Sequence, residues 1–399
     1  MKYDFCNMKI HFKPNTKKMK KQLIIILLFT LTLSSFGQKD TTKTKIEFKP
    51  SGKLWGYAFG DFLYKAHTNS FNMSNTQYGS TPKDYNTMEF RRIYLGYDYD
   101  ISEHFSTQLL FAYEGTSLSS DGNRSIYIKI ANLRWKNIIH NGDLVIGAMA
   151  PPTFSISESV WSYRSLEKTI MDMRKIGSSN DLGISLQGKL NEKGDFGYNF
   201  MISNGSGAKP ETDRFKKFYA NVYAKFMDQK IILDLGADNE WTQSHPNQKS
   251  KTTYKVFLGY QTKTFAAGIE AFQQVQKNNS LIYTDQVPST IQDTVNALAS
   301  GVSVFARGSI TSNLGFVLRY DYYNPDSKFN SGNIYAASYT GMYTESYVLA
   351  GLDYTPVKNV HFIPNVWYDM YNNRNSSVNN LSKKSNDLAF RLTVHYIFK

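Results

Sequence analysis

The stretch Leu388-Ala389-Phe390-Arg391-Leu392-Thr393-Val394-His395-Tyr396-Ile397-Phe398 decides how this chain is read. Leu388, Phe390, Leu392, Val394, Tyr396 and Phe398 share one parity, while Arg391, Thr393 and His395 share the other. Side chains of an extended strand point alternately to opposite sides, so this strand presents an unbroken apolar face and a polar face. The run from Lys217 to Phe226 repeats the pattern. There Phe218, Ala220, Val222, Ala224 and Phe226 oppose Lys217, Tyr219, Asn221, Tyr223 and Lys225.

Sixteen such runs follow from the same criterion. They lie near 53–66, 87–100, 103–114, 124–137, 143–151, 180–190, 194–203 and 215–228, then near 230–242, 251–261, 263–276, 297–311, 313–324, 345–355, 358–372 and 386–398. Tight links near Ile101-Ser102, Asn191-Glu192-Lys193, Gln229, Thr262, Ser312 and Pro356-Val357 alternate with longer polar stretches at 67–86, 152–179, 277–296, 325–344 and 373–385. Short turns at one end and long loops at the other mark an up-and-down barrel. In lipid every backbone N–H and C=O needs an internal partner, and strands supply it only by closing on themselves. The fold class expected is all-β: a transmembrane antiparallel barrel of about sixteen strands, wide enough for an aqueous lumen, with an inward-folded third loop. A soluble sandwich or propeller would also alternate. It would not explain the alternating loop lengths, the leader described next and the Tyr- and Phe-rich apolar faces together.

The N-terminus reads as a targeting segment. Lys17, Lys18, Lys20 and Lys21 precede an apolar run from Leu23 to Leu33, which is shorter than the roughly 20 residues of a membrane-spanning helix. Ser34, Ser35 and Gly37 follow, so cleavage before Gln38 is expected. This divides the chain into a signal peptide at 1–37 with an upstream extension, a periplasmic segment at 38–52 and a barrel domain at 53–399. Met1, Met8 and Met19 are alternative starts, and Met19 opens the more typical leader. Cys6, the only cysteine, precedes the cleavage point, which leaves the mature chain without a disulfide or a lipid-accepting thiol. Loss of the seven Lys and one Asp in 1–37 lowers the formal charge from +13 to +7. The remaining basic residues are scattered among carboxylates, which excludes a nucleic-acid binder.

The 28 Tyr and 26 Phe gather near strand ends, as at Tyr97 and Tyr99, Tyr320 and Tyr322, and Tyr396 and Phe398. Amphipathic rings favour the headgroup level, so these are candidate girdle residues. With the apolar face toward lipid, the opposite face lines a pore. That register turns Arg92, Lys129, Lys217, Lys225, Lys255, Arg307, Arg319 and Arg391 inward, against Asp98, Glu114, Asp234, Glu270, Asp321, Asp353 and Asp369. Strand four loses clean alternation after Ala131, which makes Lys129 the least secure of these.

In the third long loop, Leu166, Ile170 and Met173 fall at helical spacing and predict a short helix with an apolar stripe. Such a stripe needs a wall to pack on, and in a wide barrel that wall is the lumen. Arg164, Lys168, Arg174 and Lys175, with Glu167 and Asp172, are then the constriction candidates. Cations at a narrow point favour anions, because little water remains to screen them. Two plainer readings stand beside this one: the loop is an outer cap, or its cations pair with carboxylates and merely hold it in place.

Met88-Glu89-Phe90-Arg91-Arg92-Ile93-Tyr94-Leu95-Gly96-Tyr97, the stretch Tyr163 to Arg174 and Gly177-Ser178-Ser179-Asn180-Asp181-Leu182-Gly183 together resemble the phosphate-selective porin O and P family, particularly its Bacteroidetes-type outer-membrane members. The resemblance implies a sixteen-stranded, usually trimeric porin whose third loop constricts the channel. The partners expected are outer-membrane lipid, the barrel-assembly machinery, two further copies of the chain, and small anionic or neutral solutes. No enzyme, cofactor or metal site is expected. Ser165-Leu166-Glu167-Lys168 matches S-x-x-K, but the S-D-N and K-T-G partners that chemistry needs are missing from the sequence. The functions left are a passive porin in the cell outer membrane, with a mild preference for anions such as phosphate, or a barrel with a plugged lumen whose long loops recognise a partner.

Overall fold

The period-two alternation closes into a ring. The computed structural model describes residues 48–399 apart from 72, 74, 75, 77, 116, 117, 244–247, 284–290, 336–338 and 376–383. The leader expected at 1–37, and most of the segment at 38–52, lie outside the described residues.

The first half of the wall consists of β1 (Ser51–His67), β2 (Asn86–Asp100), β3 (Phe105–Glu114), β4 (Tyr127–Ile139), β5 (Gly142–Met149), β6 (Asp181–Lys189), β7 (Phe196–Ser203) and β8 (Lys217–Phe226). The second half consists of β9 (Ile231–Gln243), β10 (Lys249–Gln261), β11 (Phe265–Tyr283), β12 (Ile291–Ser309), β13 (Leu314–Asn324), β15 (Tyr343–Val357), β16 (Val360–Asn373) and β17 (Lys384–Phe398). A two-residue strand, β14 (Ile334–Tyr335), pairs with the far end of β11. Each long strand pairs antiparallel with its sequence neighbour, and β1 pairs with both β2 and β17. The ring is thus a closed barrel of sixteen long strands among the described residues, with every strand edge between neighbours satisfied.

Two stretches depart from the sequence reading. Residues 277–296 were expected to be loop, yet β11 runs on to Tyr283 and β12 starts at Ile291, paired through Ser280↔Val295 and Leu281↔Thr294 after a register shift. A hairpin that projects past the apolar belt keeps its backbone ladder without an apolar face, so the hydrophobic period that identifies strands is lost there. The wall also starts at Ser51, paired with Asp100, two residues before the expected boundary.

The outward face is apolar. Phe62, Leu95, Phe218, Leu258 and Leu392 are exposed there, while Asp61, Asp234, Asp321 and Arg391 on the opposite parity are buried. The inward face is uneven. On β10, β12, β13, β15 and β16 it carries Phe257, Phe305, Val317, Leu349, Ile363 and Trp367, all buried in one apolar cluster. On β3 to β8 its middle stretch carries Gln108, Asn132, Gln187, Asn199 and Asn221 instead.

Leu392 lies mid-strand on the outward face, opposite Phe62 of β1. The Leu392→Arg variant is expected to lose about 2–4 kcal/mol of stability in lipid vesicles, the cost of a cation on the lipid face near the midplane. Denaturant unfolding of the vesicle-inserted barrel measures it.

Candidate functional site

Residues 150–180 connect β5 to β6 and contain two helices, α1 (Ser155–Trp161) and α2 (Ile170–Met173). This corrects the single helix expected through Leu166, Ile170 and Met173. Ser162 adopts a left-handed backbone, φ 58°, and closes α1 by donating its N–H to the Glu158 carbonyl. Leu166 sits in the turn between the helices, its N–H donating to Tyr163 O at 2.8 Å. Periodicity nonetheless marks the right buried residues: Leu166 and Ile170 are fully buried and Met173 nearly so. Val160, Trp161, Leu166 and Met173 join the apolar cluster of the wall, with the Trp161 ring edge-on to Phe305 at 5.2 Å. Burying each such side chain is worth about 1.5–3 kcal/mol.

Polar contacts fix the same segment to inward-facing wall residues. Arg91 and Arg391 each donate to Leu166 O at 3.2 Å, and Arg91 donates to Ser165 O as well. Arg319 donates to Lys168 O, Arg307 Nε to Val160 O at 2.8 Å, and Gln274 to Ile176 O at 3.3 Å. In return Ser157 donates to Glu270 at 2.7 Å, and Tyr163 to Asp353 at 2.8 Å. The partners lie on β2, β11, β12, β13, β15 and β17.

Asp61 anchors two of these arginines. Its carboxylate lies 2.5 Å from Arg91 Nε and 3.2 Å from Arg391 Nη1, and it accepts from Thr393 Oγ1 at 2.6 Å and Tyr78 OH at 3.3 Å. Asp61 and Arg91 were not among the residues picked from the sequence, and strict alternation would have turned Arg91 outward beside the inward Arg92. A β-bulge explains the difference. Phe59 pairs with Arg92 and Gly60 with Phe90, so Arg91 is an extra residue and both arginines are buried. The sequence carried the signal. Outward apolar residues sit at Met88 and Phe90, then switch parity to Ile93, Leu95 and Tyr97. Gly60 permits the bulge, since a Cβ there would come within 2.3 Å of the Glu89 carbonyl oxygen.

The residues singled out from the sequence lie as follows. Arg92 lies 3.7 Å from Glu114, which Lys129 also contacts; Lys129 is itself a bulge residue on β4 and is buried. Lys217 pairs with Asp238 at 3.2 Å, Lys255 with Asp234, and Arg319 with Asp321 at 2.5 Å. Lys225 reaches Gln229 at 3.4 Å. On the loop, Arg164 pairs with Glu158 and, at 2.7 Å, with Asp172; Lys168 lies 3.8 Å from Asp172. Arg174 is buried against Glu345. Glu167 is buried, its carboxylate accepting from the Lys168 N–H at 2.9 Å, and Lys175 is exposed. Burial pushes the Asp172 carboxyl up, but Arg164, Lys168 and Arg92 outweigh it and hold it below the usual carboxylate range. Among the described residues no group of three His, Cys, Asp or Glu is arranged to hold a metal.

The uncovered wall borders open space. A cavity of about 450 Å³ runs along β5 from Asn141 and Asp143 to Met149 and Pro152, with Gln108, Asn132, Gln187, Asn199 and Tyr223 on the wall side and Ser155 and Ile156 of α1 on the other. A second cavity of about 370 Å³ shares Gln108, Asn132 and Arg134 with it and continues to Lys53, Asp98 and Asp100 at the short-turn end.

No protein-family model matches this chain, and no curated protein matches it in sequence. Solved structures do match. The outer membrane channel DcaP of Acinetobacter baumannii is similar at a TM-score of 0.63 and 16% identity, over 88% of this chain and 97% of that one. An anion-selective porin from Comamonas acidovorans is similar at 0.56 and 11%, over 88% and 100%. OmpF of Salmonella typhi is similar at 0.54 and 14%, over 87% and 97%. This chain has the porin fold.

Removing the carboxylate that holds two buried guanidinium groups is expected to release the loop. Breaking a buried pair this way costs about 3–5 kcal/mol. Asp61→Ala should therefore open the Arg164–Lys175 stretch to trypsin in the folded barrel, with Asp61→Asn milder, as mass spectrometry of the fragments would show. A carboxyl held low, such as Asp172, contributes stability at neutral pH and loses it only as pH falls through the lowered value. Trypsin resistance of the wild-type loop should thus be unchanged from about pH 8 down to about pH 5.

Proposed function

We propose that this chain is an outer-membrane porin through which small polar solutes diffuse passively, and that residues 150–180 lie in its lumen as the constriction. One observation carries the reading: open space runs along a polar wall on β3 to β8 while the facing wall is covered by the loop. Two adjoining cavities between the docked loop and the short-turn end favour a channel over a plugged barrel. The apolar outward face supports placement in a bilayer, and the leader supports export across the inner membrane. Domain limits of 1–37, 38–52 and 53–399 belong to this proposal, as do assembly as a homotrimer and insertion by the barrel-assembly machinery. The stretches 88–97, 163–174 and 177–183 favour the phosphate-selective O and P porins as kin. Passage needs no catalytic group, and the chain is proposed not to be an enzyme.

Selectivity follows from charge at the narrow point. Arg92, Lys129, Arg164 and Lys168 face Glu114, Glu158 and Asp172 there, an excess of one positive charge. Paired charges largely cancel at the distance of a passing ion, so any anion preference is weak. Arg174 adds little, because Glu345 neutralises it.

Planar-bilayer recording tests the proposal. Discrete, long-lived open steps are expected, with reversal potentials in a salt gradient near zero and slightly toward anions. A folded, heat-modifiable barrel that stays silent overturns the channel reading. Replacing 155–173 by a short Gly-Ser linker is expected to enlarge the steps at least about twofold, as removal of a constriction from a sixteen-stranded lumen should.

A further inference from the structure

Resting on that channel reading, the chemistry of the uncovered wall points to a solute class. We propose that the passage favours neutral, polyhydroxylated solutes of sugar size over charged solutes of equal size. Amides recur along the wall: Gln108, Asn132, Gln187, Asn199 and Asn221 project from five of the six strands β3 to β8, with Arg134, Asp143 and Lys189 as the charged residues of the same cavity. An amide carries both donors and acceptors, as a hydroxyl does, whereas an anion uses only donors and a cation only acceptors. Such a wall exchanges hydrogen bonds with a polyol at every step.

These amides are held in place. Asn199 Oδ1 accepts from the Ser185 hydroxyl at 2.8 Å; Gln108 donates to Asp98 at 2.9 Å, and Asn132 to Ala148 O at 3.2 Å. Fixed groups bind a passing solute without first losing their own freedom. Tyr223 adds an aromatic surface. Its ring packs on Gly197, where a Cβ would come within 2.4 Å of it, and Lys225 Nζ lies 5.5 Å from the ring centroid.

Charge is nearly balanced along this track. Arg134 and Asp143 pair at 2.8 Å, and the guanidinium also lies 2.7 and 2.8 Å from the Gln187 amide. From α1 the cavity meets Ser155 and Ile156, while Glu158 is engaged by Arg164. The cavity of about 450 Å³ lies within the range of roughly 300–1,000 Å³ typical of small-molecule clefts.

The test is influx of radiolabelled glucose, glucosamine and glucuronate into proteoliposomes holding the mature barrel, after bilayer recording has shown open steps. Glucose is expected to enter at least about threefold faster than either charged analogue, a factor that a single net hydrogen bond can supply. Asn132→Lys should raise the glucuronate-to-glucose ratio, and Asn199→Asp the glucosamine-to-glucose ratio, with folding checked by heat-modifiability. Open steps with equal or faster entry of glucuronate or glucosamine overturn the solute assignment alone. Folded variants that move neither ratio also overturn it, since the track would then lie elsewhere. Absence of steps removes the channel reading and this inference with it.

Discussion

Irregular backbone placed against a barrel wall brings carbonyl groups that no strand ladder can satisfy, and the loop between β5 and β6 brings several. Arg91, Arg391, Arg319 and Arg307 supply the missing donors to Ser165, Leu166, Lys168 and Val160. Three of these guanidinium groups are tolerable there only because carboxylates stand beside them, Asp61 for two and Asp321 for the third. The chain of dependence is therefore carboxylate, then guanidinium, then loop carbonyl. The apolar contact of Trp161 and Leu166 with the wall rides on it, because those side chains reach Phe305 and Leu349 only when the backbone is held down.

This arrangement explains why a count of inward arginines says little about the solute. Seen from the sequence, Arg319, Arg391 and Arg174 look like a basic lining. In the folded chain they are structural, buried and partnered before any solute arrives. A selectivity argument has to begin with the groups that border open space, and those are six amides, two tyrosines and the charged Arg134, Asp143 and Lys189 among apolar residues.

Much of the fold was legible because a lipid-facing strand must be apolar at every second position. The sixteen runs follow from that requirement alone, and most bounds agree within two or three residues. Where the requirement lapses, so did the reading, as in the projecting hairpin of β11 and β12. The inward apolar patch was missed for the converse reason. Phe257, Leu349 and Trp367 sit on the parity that a water-filled lumen would make polar, and period-two logic cannot tell a wet wall from one that receives a loop. The bulge at Arg91 was visible as a change of parity between Phe90 and Ile93, but alternation applied with a fixed phase hides it. The helices of the loop were too short, at seven and four residues, for a 3.6-residue period to place their ends.

The unevenness of the inward face divides labour between two halves of one ring. Strands β10 to β17 and the start of the barrel act as a foundation, where a change in volume or charge disturbs the docked segment. The mid-strand amides of β3 to β8 look onto open space, although Lys129 of β4 also donates to Ser179 of the docked segment at 3.0 Å. Substitutions at Asn132 and Asn199, whose side chains bond only to neighbouring strands, should add up independently of the foundation. On the proposed channel reading, a lineage could thus retune what it admits by editing one side of the cylinder, without renegotiating how the cylinder stands.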